Sequence, residues 1–189
     1  MSQSRSVGVF DYKMKNFFDK SKLPSRYVTS VSGCEGRKTM LYNIKTDLYP
    51  EGLTEEDIQK PFVGVVTSWN EAAPCNIALQ RQAQPAKAGV KEGGCTPREF
   101  TTITVTDGIA NGHQGMKSSL VSREVIADSI ELTVRGHCYD GLVGIAGCDK
   151  SLPAMMMAMC RLNIPSVFMY GGSILPGNFQ GRDVTIVDV

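Results

Sequence analysis

From Phe62 onward the chain alternates short apolar runs with longer stretches of helix formers, and this alternation constrains the fold more than any other feature. "FVGVVTS" (62–68) reads as a buried strand. "NIALQRQAQPAKAGVKEGG" (76–94) predicts a helix stopped by Gly93-Gly94, with Pro85 kinking or restarting it. "EFTTITVTD" (99–107) is β-branched and predicts a second strand. "SLVSREVIADSIELTVRGH" (119–137) places Val125, Ile126, Ile130 and Val134 on one helical face. "GLVGIAG" (141–147) is a strand bounded by glycines. "SLPAMMMAMCRLN" (151–163) predicts a helix with Ser151 as N-cap and Pro153 in its first turn. "PSVFMYGG" (165–172) is a fourth strand. The order β-α-β-α-β-α-β with short connections predicts an α/β fold, a parallel sheet with right-handed crossovers and helices on both faces. Two regions follow: an irregular N-terminal segment, 1–60, with a short helix begun at Thr54 and ended before Pro61, and a partial α/β domain, 61–189.

Composition narrows the function classes. Twenty basic residues against 19 acidic ones leave a net charge of +1, with no basic stripe for nucleic acid. The longest apolar stretch, Leu152 to Ser173, is broken by Arg161, Asn163, two prolines and two glycines, so no membrane span is expected. The N-terminus has no uninterrupted apolar h-region, and a cytoplasmic location is expected. The six cysteines (34, 75, 95, 138, 148, 160) include no CxxC pair, which argues against a zinc ribbon. Their background is not that of a disulfide scaffold, and most read as small buried hydrophobes.

Ligands of open α/β sheets bind outside the carboxyl ends of the strands. Those ends carry Cys75, then Asp107, then the triplet Cys148-Asp149-Lys150. The topology thus gathers two thiols, two carboxylates and one amine on one rim. Thiolates suit iron–sulfur clusters and carboxylates suit Mg²⁺, so one rim points to two kinds of metal. Lys150 joins such a site only without its charge; a neutral amine can take up carbon dioxide and become an anionic carbamate ligand. Plainer readings stand beside these. An Asp-Lys pair at a helix start is commonly a dipole partner and a solvated cation. "DGIANGHQG" lacks the phosphate-loop signatures and reads equally as a Gly-rich turn. The cluster Met155, Met156, Met157 and Met159 reads as core. His113 and His137 are as readily ordinary polar residues as functional ones.

"SWNEAAPCNIAL", "ITVTDGIANGHQGMKSSLVSREVIADSIE", "GCDKSLPAMMMA" and "RLNIPSVFMYGGSILPG", in this order, resemble the dihydroxy-acid, 6-phosphogluconate and sugar-acid dehydratase family from about Gly36 to the end. The resemblance implies an iron–sulfur cluster beside a Mg²⁺ site. Cys75 and Cys148 fall on two cluster ligands, Asp107 and Asp149 on Mg²⁺ ligands, and Lys150 on a carbamylated lysine. A cysteine at position 75 is similar to the [2Fe-2S] branch rather than the [4Fe-4S] one. The implied reaction is dehydration of a 2,3-dihydroxy-3-methyl acid to a 2-oxo acid in valine and isoleucine synthesis, with both metals as Lewis acids. A sugar-acid dehydratase is the alternative within the family, and an inactive fragment or binding module the alternative outside it. Full-length members are homodimers.

The chain departs from the family pattern in length. It looks like the N-terminal part of the α/β domain, without the C-terminal β-barrel-like domain. The third cluster cysteine, a further Mg²⁺-ligating glutamate and the serine base are expected downstream, so no catalytic residue is assigned in this chain. Alone, it is expected to be inactive, with an exposed sheet edge that aggregates or borrows a partner.

Overall fold

The computed structural model describes residues 24–25, 47–185 and 188. The irregular segment expected over 1–60 therefore lies largely outside the described residues, as does Cys34. Strands β1 (Phe62–Thr67), β2 (Thr96–Thr101), β3 (Gly141–Ala146) and β4 (Ser166–Tyr170) form one parallel sheet in the order β2-β1-β3-β4. Helix α1 (Glu55–Ile58) precedes β1, capped by a reciprocal Thr54–Asp57 box. Helices α2 (Leu79–Glu92), α3 (Asp107–Ala110), α4 (Met116–Gly136) and α5 (Ser151–Leu162) fill the connections.

The sheet is covered on both faces at its centre. α4 and α5 bury Ile126, Ile130, Val134, Met155 and Ala158 against Phe62, Val66 and Leu142. On the other face α2 sets Leu79 and Ala83 against Val65 and Ile145. Burial on two faces explains why β1 and β3 are continuous apolar runs rather than alternating ones. No helix among the described residues is long and apolar enough to cross a membrane.

Several local expectations are corrected. Helix α2 does not restart at Pro85 but runs through it as one helix, and Pro85 and Arg81, whose carbonyl the ring leaves unpaired, are both exposed to solvent. The second strand is TPREFT, three residues earlier than expected at its start; 102–106 is irregular. Its partner β1 ends at Thr67, opposite Thr101, so "TITVT" has no neighbour to pair with after one last Thr102 N–H···Thr67 bond of 2.9 Å. Pro97 is tolerated because β2 is an edge strand. Val125 faces solvent, whereas Ile126, Ile130 and Val134 are buried. Met156 is likewise outside the core. Ser151 is the first residue of α5 rather than its cap; its hydroxyl donates to the Gly147 carbonyl instead. Asn163 ends the helix in the left-handed region, φ 52°. A hairpin of β5 (Gly177–Phe179) and β6 (Arg182–Val184), turning at Gln180-Gly181, had no strong sequence signal.

Candidate metal centre

The carboxyl ends of β1 and β3, neighbours in the sheet, set the rim. From β1 the chain passes Ser68 and turns through 70–78, bringing Cys75 back over the strand end. From β3 it passes Gly147 to Cys148, whose φ of 70° lies in the left-handed region. A non-glycine residue there costs of order 1–3 kcal/mol. The gain is direction: the chain reverses at once into α5, and Cys148, Asp149 and Lys150 are set on the rim. Leu152 N–H closes the turn on the Cys148 carbonyl at 3.3 Å.

The irregular stretch after β2 delivers the remaining groups. Thr106 is the N-cap of α3, but its hydroxyl does not cap the helix; it lies 3.2 Å from Cys148 Sγ. Asp107 follows and accepts from Ser119 Oγ of α4. Its other oxygen, Oδ2, lies 2.5 Å from Lys150 Nζ. Asp149 Oδ2 is 3.0 Å from the same nitrogen, and Asp149 Oδ1 accepts from Cys148 Sγ at 3.2 Å. Asp107, Cys148, Asp149 and Lys150 are thus one connected cluster assembled from two strand ends. Cys75 sits beside it: its peptide carbonyl presses on the place where a Cβ on Gly147 would stand. Position 147 admits glycine because the two thiol-bearing turns touch there.

Burial pushes the Cys148 thiol up to about 11, and its hydrogen bond to the Asp149 carboxylate adds to it, so Cys148 is a neutral thiol at neutral pH. Burial also raises Asp149, but its hydrogen-bonded neighbours Asp107, Lys150 and Cys148 outweigh it and hold the carboxyl well below the usual range. The bond to Asp107, then that to Asp149, raises Lys150. The single ammonium bridges both carboxylates and offsets one of their two charges.

The donor chemistry fits the two metals expected at this rim. Two carboxylates close on one cation, and the turns that carry the two thiols touch at Gly147. The donors fit in kind and fall short in number: among the described residues no three His, Cys, Asp or Glu side chains converge to hold an ion. An anionic Lys150 would supply the missing oxygen. Neither His113, which bonds within its own loop to Ile109 O and Gly115 N, nor His137, beside Tyr139, belongs to the cluster. Sequence reasoning missed Thr106, Ser119 and Asn76, which hold the cluster without carrying its chemistry. The adjacency of Thr106 to Asp107 was the available signal.

Residues 60–189 match the family model described as dihydroxy-acid/6-phosphogluconate dehydratase N-terminal. The chain is 72% identical over 172 residues to a dihydroxy-acid dehydratase of Parvibaculum lavamentivorans, covering 91% of this chain and 29% of that protein. It is 70% identical over 172 residues to one of Pelagibacter ubique, again 91% and 29%. Over 138 residues it is 62% identical to one of Metallosphaera sedula, covering 73% and 25%. The chain therefore spans less than a third of the length of these curated relatives.

Proposed function

The chain belongs to the dihydroxy-acid/6-phosphogluconate dehydratase family, and from that premise we propose that it forms the metal-binding rim of a hydro-lyase acting on 2,3-dihydroxy-3-methyl acids in valine and isoleucine synthesis. The observation that carries the reading is the pair Asp107 and Asp149 closing on one cationic nitrogen, with the Cys148 thiol 3.2 Å from Asp149. The relatives at 62–72% identity are named dihydroxy-acid dehydratases, which favours this substrate class over sugar acids.

Asp107, Asp149 and a carbamylated Lys150 would hold Mg²⁺; Cys75 and Cys148 would hold an iron–sulfur cluster, [2Fe-2S] in preference to [4Fe-4S]. When bound, these groups supply Lewis acidity toward the carboxylate and hydroxyls of the dihydroxy acid. The protein's own residues set the conditions. Lys150 must shed one proton to solvent before its nitrogen bonds to the carbon of CO₂ and a second from nitrogen as the carbamate forms, and the ion pairs to Asp107 and Asp149 oppose the first loss. Cys148 must likewise give up a proton held by burial. Both steps accompany metal loading, because a cation replaces the charge that the ammonium now supplies. Ser119 and Thr106 keep Asp107 and Cys148 oriented meanwhile. Cytoplasmic location and homodimeric assembly belong to the same proposal.

The test is formation of a 2-oxo acid from 2,3-dihydroxy-3-methylbutanoate. It uses the complete gene product containing this chain, reconstituted anaerobically with iron, sulfide and Mg²⁺. Activity lost in Asp107→Asn and in Cys148→Ser is the expected result. Dehydration of aldonic acids alone, or turnover untouched by these substitutions, overturns the reading.

A further inference from the structure

Asn76 follows Cys75 and is fully buried at the rim. Its amide Nδ2 donates to Ser68 O at 2.6 Å and to Ser68 Oγ at 2.9 Å, tying the turn that carries Cys75 to the end of β1. Its Oδ1 has no hydrogen-bond partner and lies 3.1 Å from where a Cβ on Gly147 would stand. A buried acceptor left without a donor is destabilising. A side chain kept there at that cost is placed for its shape and its donors. On the far side, Ser151 Oγ donates to the Gly147 carbonyl and lies 3.4 Å from that of Cys148. The backbone between the two thiols is therefore clamped from both directions: Asn76 and the Cys75 carbonyl on one side, Ser151 on the other.

We infer that Asn76 is a positioning residue that, seated against Gly147, fixes the separation of the Cys75 and Cys148 thiols. It touches no reacting atom; it acts through the two cysteines. The inference rests on the reading that these thiols work as a pair, but their spacing is measurable without metal or turnover. Groups of such sites must be held within about 0.5 Å, and only supporting contacts of this kind do so.

Bis-thiosulfonate cross-linkers of graded spacer length read that spacing. Each end forms a disulfide with one cysteine and releases methanesulfinate. Mass mapping of Cys75–Cys148 bridges in the metal-free complete gene product containing this chain is expected to show a marked preference for one spacer. Asn76→Ala should flatten that preference severalfold, and Gly147→Ala should shift it to longer spacers. Ser68→Ala, which removes one of the two acceptors and spares the other, should flatten it less and serves if Asn76→Ala fails to fold. A merely structural role would lower the melting temperature and leave the spacer profile unchanged. An unchanged profile in folded Asn76→Ala or Ser68→Ala, or no Cys75–Cys148 bridge with any spacer, overturns the inference. Absence of dehydration by the unsubstituted gene product, with a native spacer preference that Asn76→Ala flattens, fells the proposed activity and leaves the spacing role standing, so the two fail separately.

Discussion

β1 and β4 flank the same strand, β3, in the same parallel sheet, and both are apolar in sequence. β1 is buried along its whole length. In β4, Val167 is 62% exposed and Tyr170 55%, and only Phe168 packs against the core. The chain after β4 adds Ile174, Leu175 and Phe179 to the uncovered surface. The difference lies in the neighbours. α2 covers β1 on one face and α4 with α5 cover it on the other, while β4 has α5 near one face and, among the described residues, no further strand on its open edge. An apolar strand states a demand for cover; the rest of the fold decides whether it is met. The exposed edge expected from the sequence is present, and parallel sheets are ordinarily buried on both faces.

The sharpest way to break this comparison is to truncate one side chain in the covered centre, on β3, and one on β4. Ile145→Ala, in the covered centre, should lose about 2–5 kcal/mol in denaturant unfolding. Val167→Ala on β4 should lose less than about 0.5 kcal/mol. Equal losses would mean that β4 is covered after all.

A smaller effect is expected where β3 begins. Asp140 is buried, and its carboxylate accepts from Phe62 N–H at 2.7 Å and from Ser25 N–H at 2.9 Å. Asp140→Ala should leave the Phe62 donor unpaired and lose about 1–3 kcal/mol by the same measurement. No change would show that the start of β1 is held by packing alone.

The opposite rim should respond to pH. The folded state raises Cys148 from an ordinary 9.0 to about 11. Its contribution is therefore complete below pH 9 and lost as pH climbs from 9 toward 11. Lys150, also raised, adds a loss in the same direction at higher pH. Thermal melts should fall across that window in the native chain, and Cys148→Ser should remove the earlier part of the fall. A fall that persists unchanged in the serine variant would place the titrating group elsewhere.

The smallest effect on stability should come from charge on the open edge. Val167→Lys is expected to leave the melting temperature nearly unchanged and to reduce concentration-dependent light scattering, because a lysine blunts edge-to-edge pairing. Scattering that stays the same would exonerate β4 as a sticky edge.

Most of this fold was legible because buried parallel strands and amphipathic helices write themselves as runs and periods. Phe62–Thr67 and Gly141–Ala146 were found nearly to the residue. What was illegible depended on partners. "TITVT" has the composition of a strand, yet it leaves the sheet where β1 ends. Val125 lies next to Ile126 on the helix, and only the placement of the sheet decides which of them is buried. At the rim, Asp107, Asp149 and Lys150 could be gathered by topology alone, and the structure brings them into contact. The supports could not: Asn76 reaches Ser68 eight residues away, and Ser119 reaches Asp107 twelve away, through turns that no periodicity describes.

The strand order has a bearing on synthesis. β1 leaves the ribosome first and pairs with β2 soon after, on its outer side. The partner for its inner side, β3, ends 79 residues after β1 does, from Thr67 to Ala146. At about 5–20 residues per second that is a wait of roughly 4–16 s. During it, the most apolar strand of the sheet has one edge bare and lacks α5, still to be translated, on one face. Nascent chains stalled between α4 and β3 would therefore be the form of this molecule most in need of a chaperone.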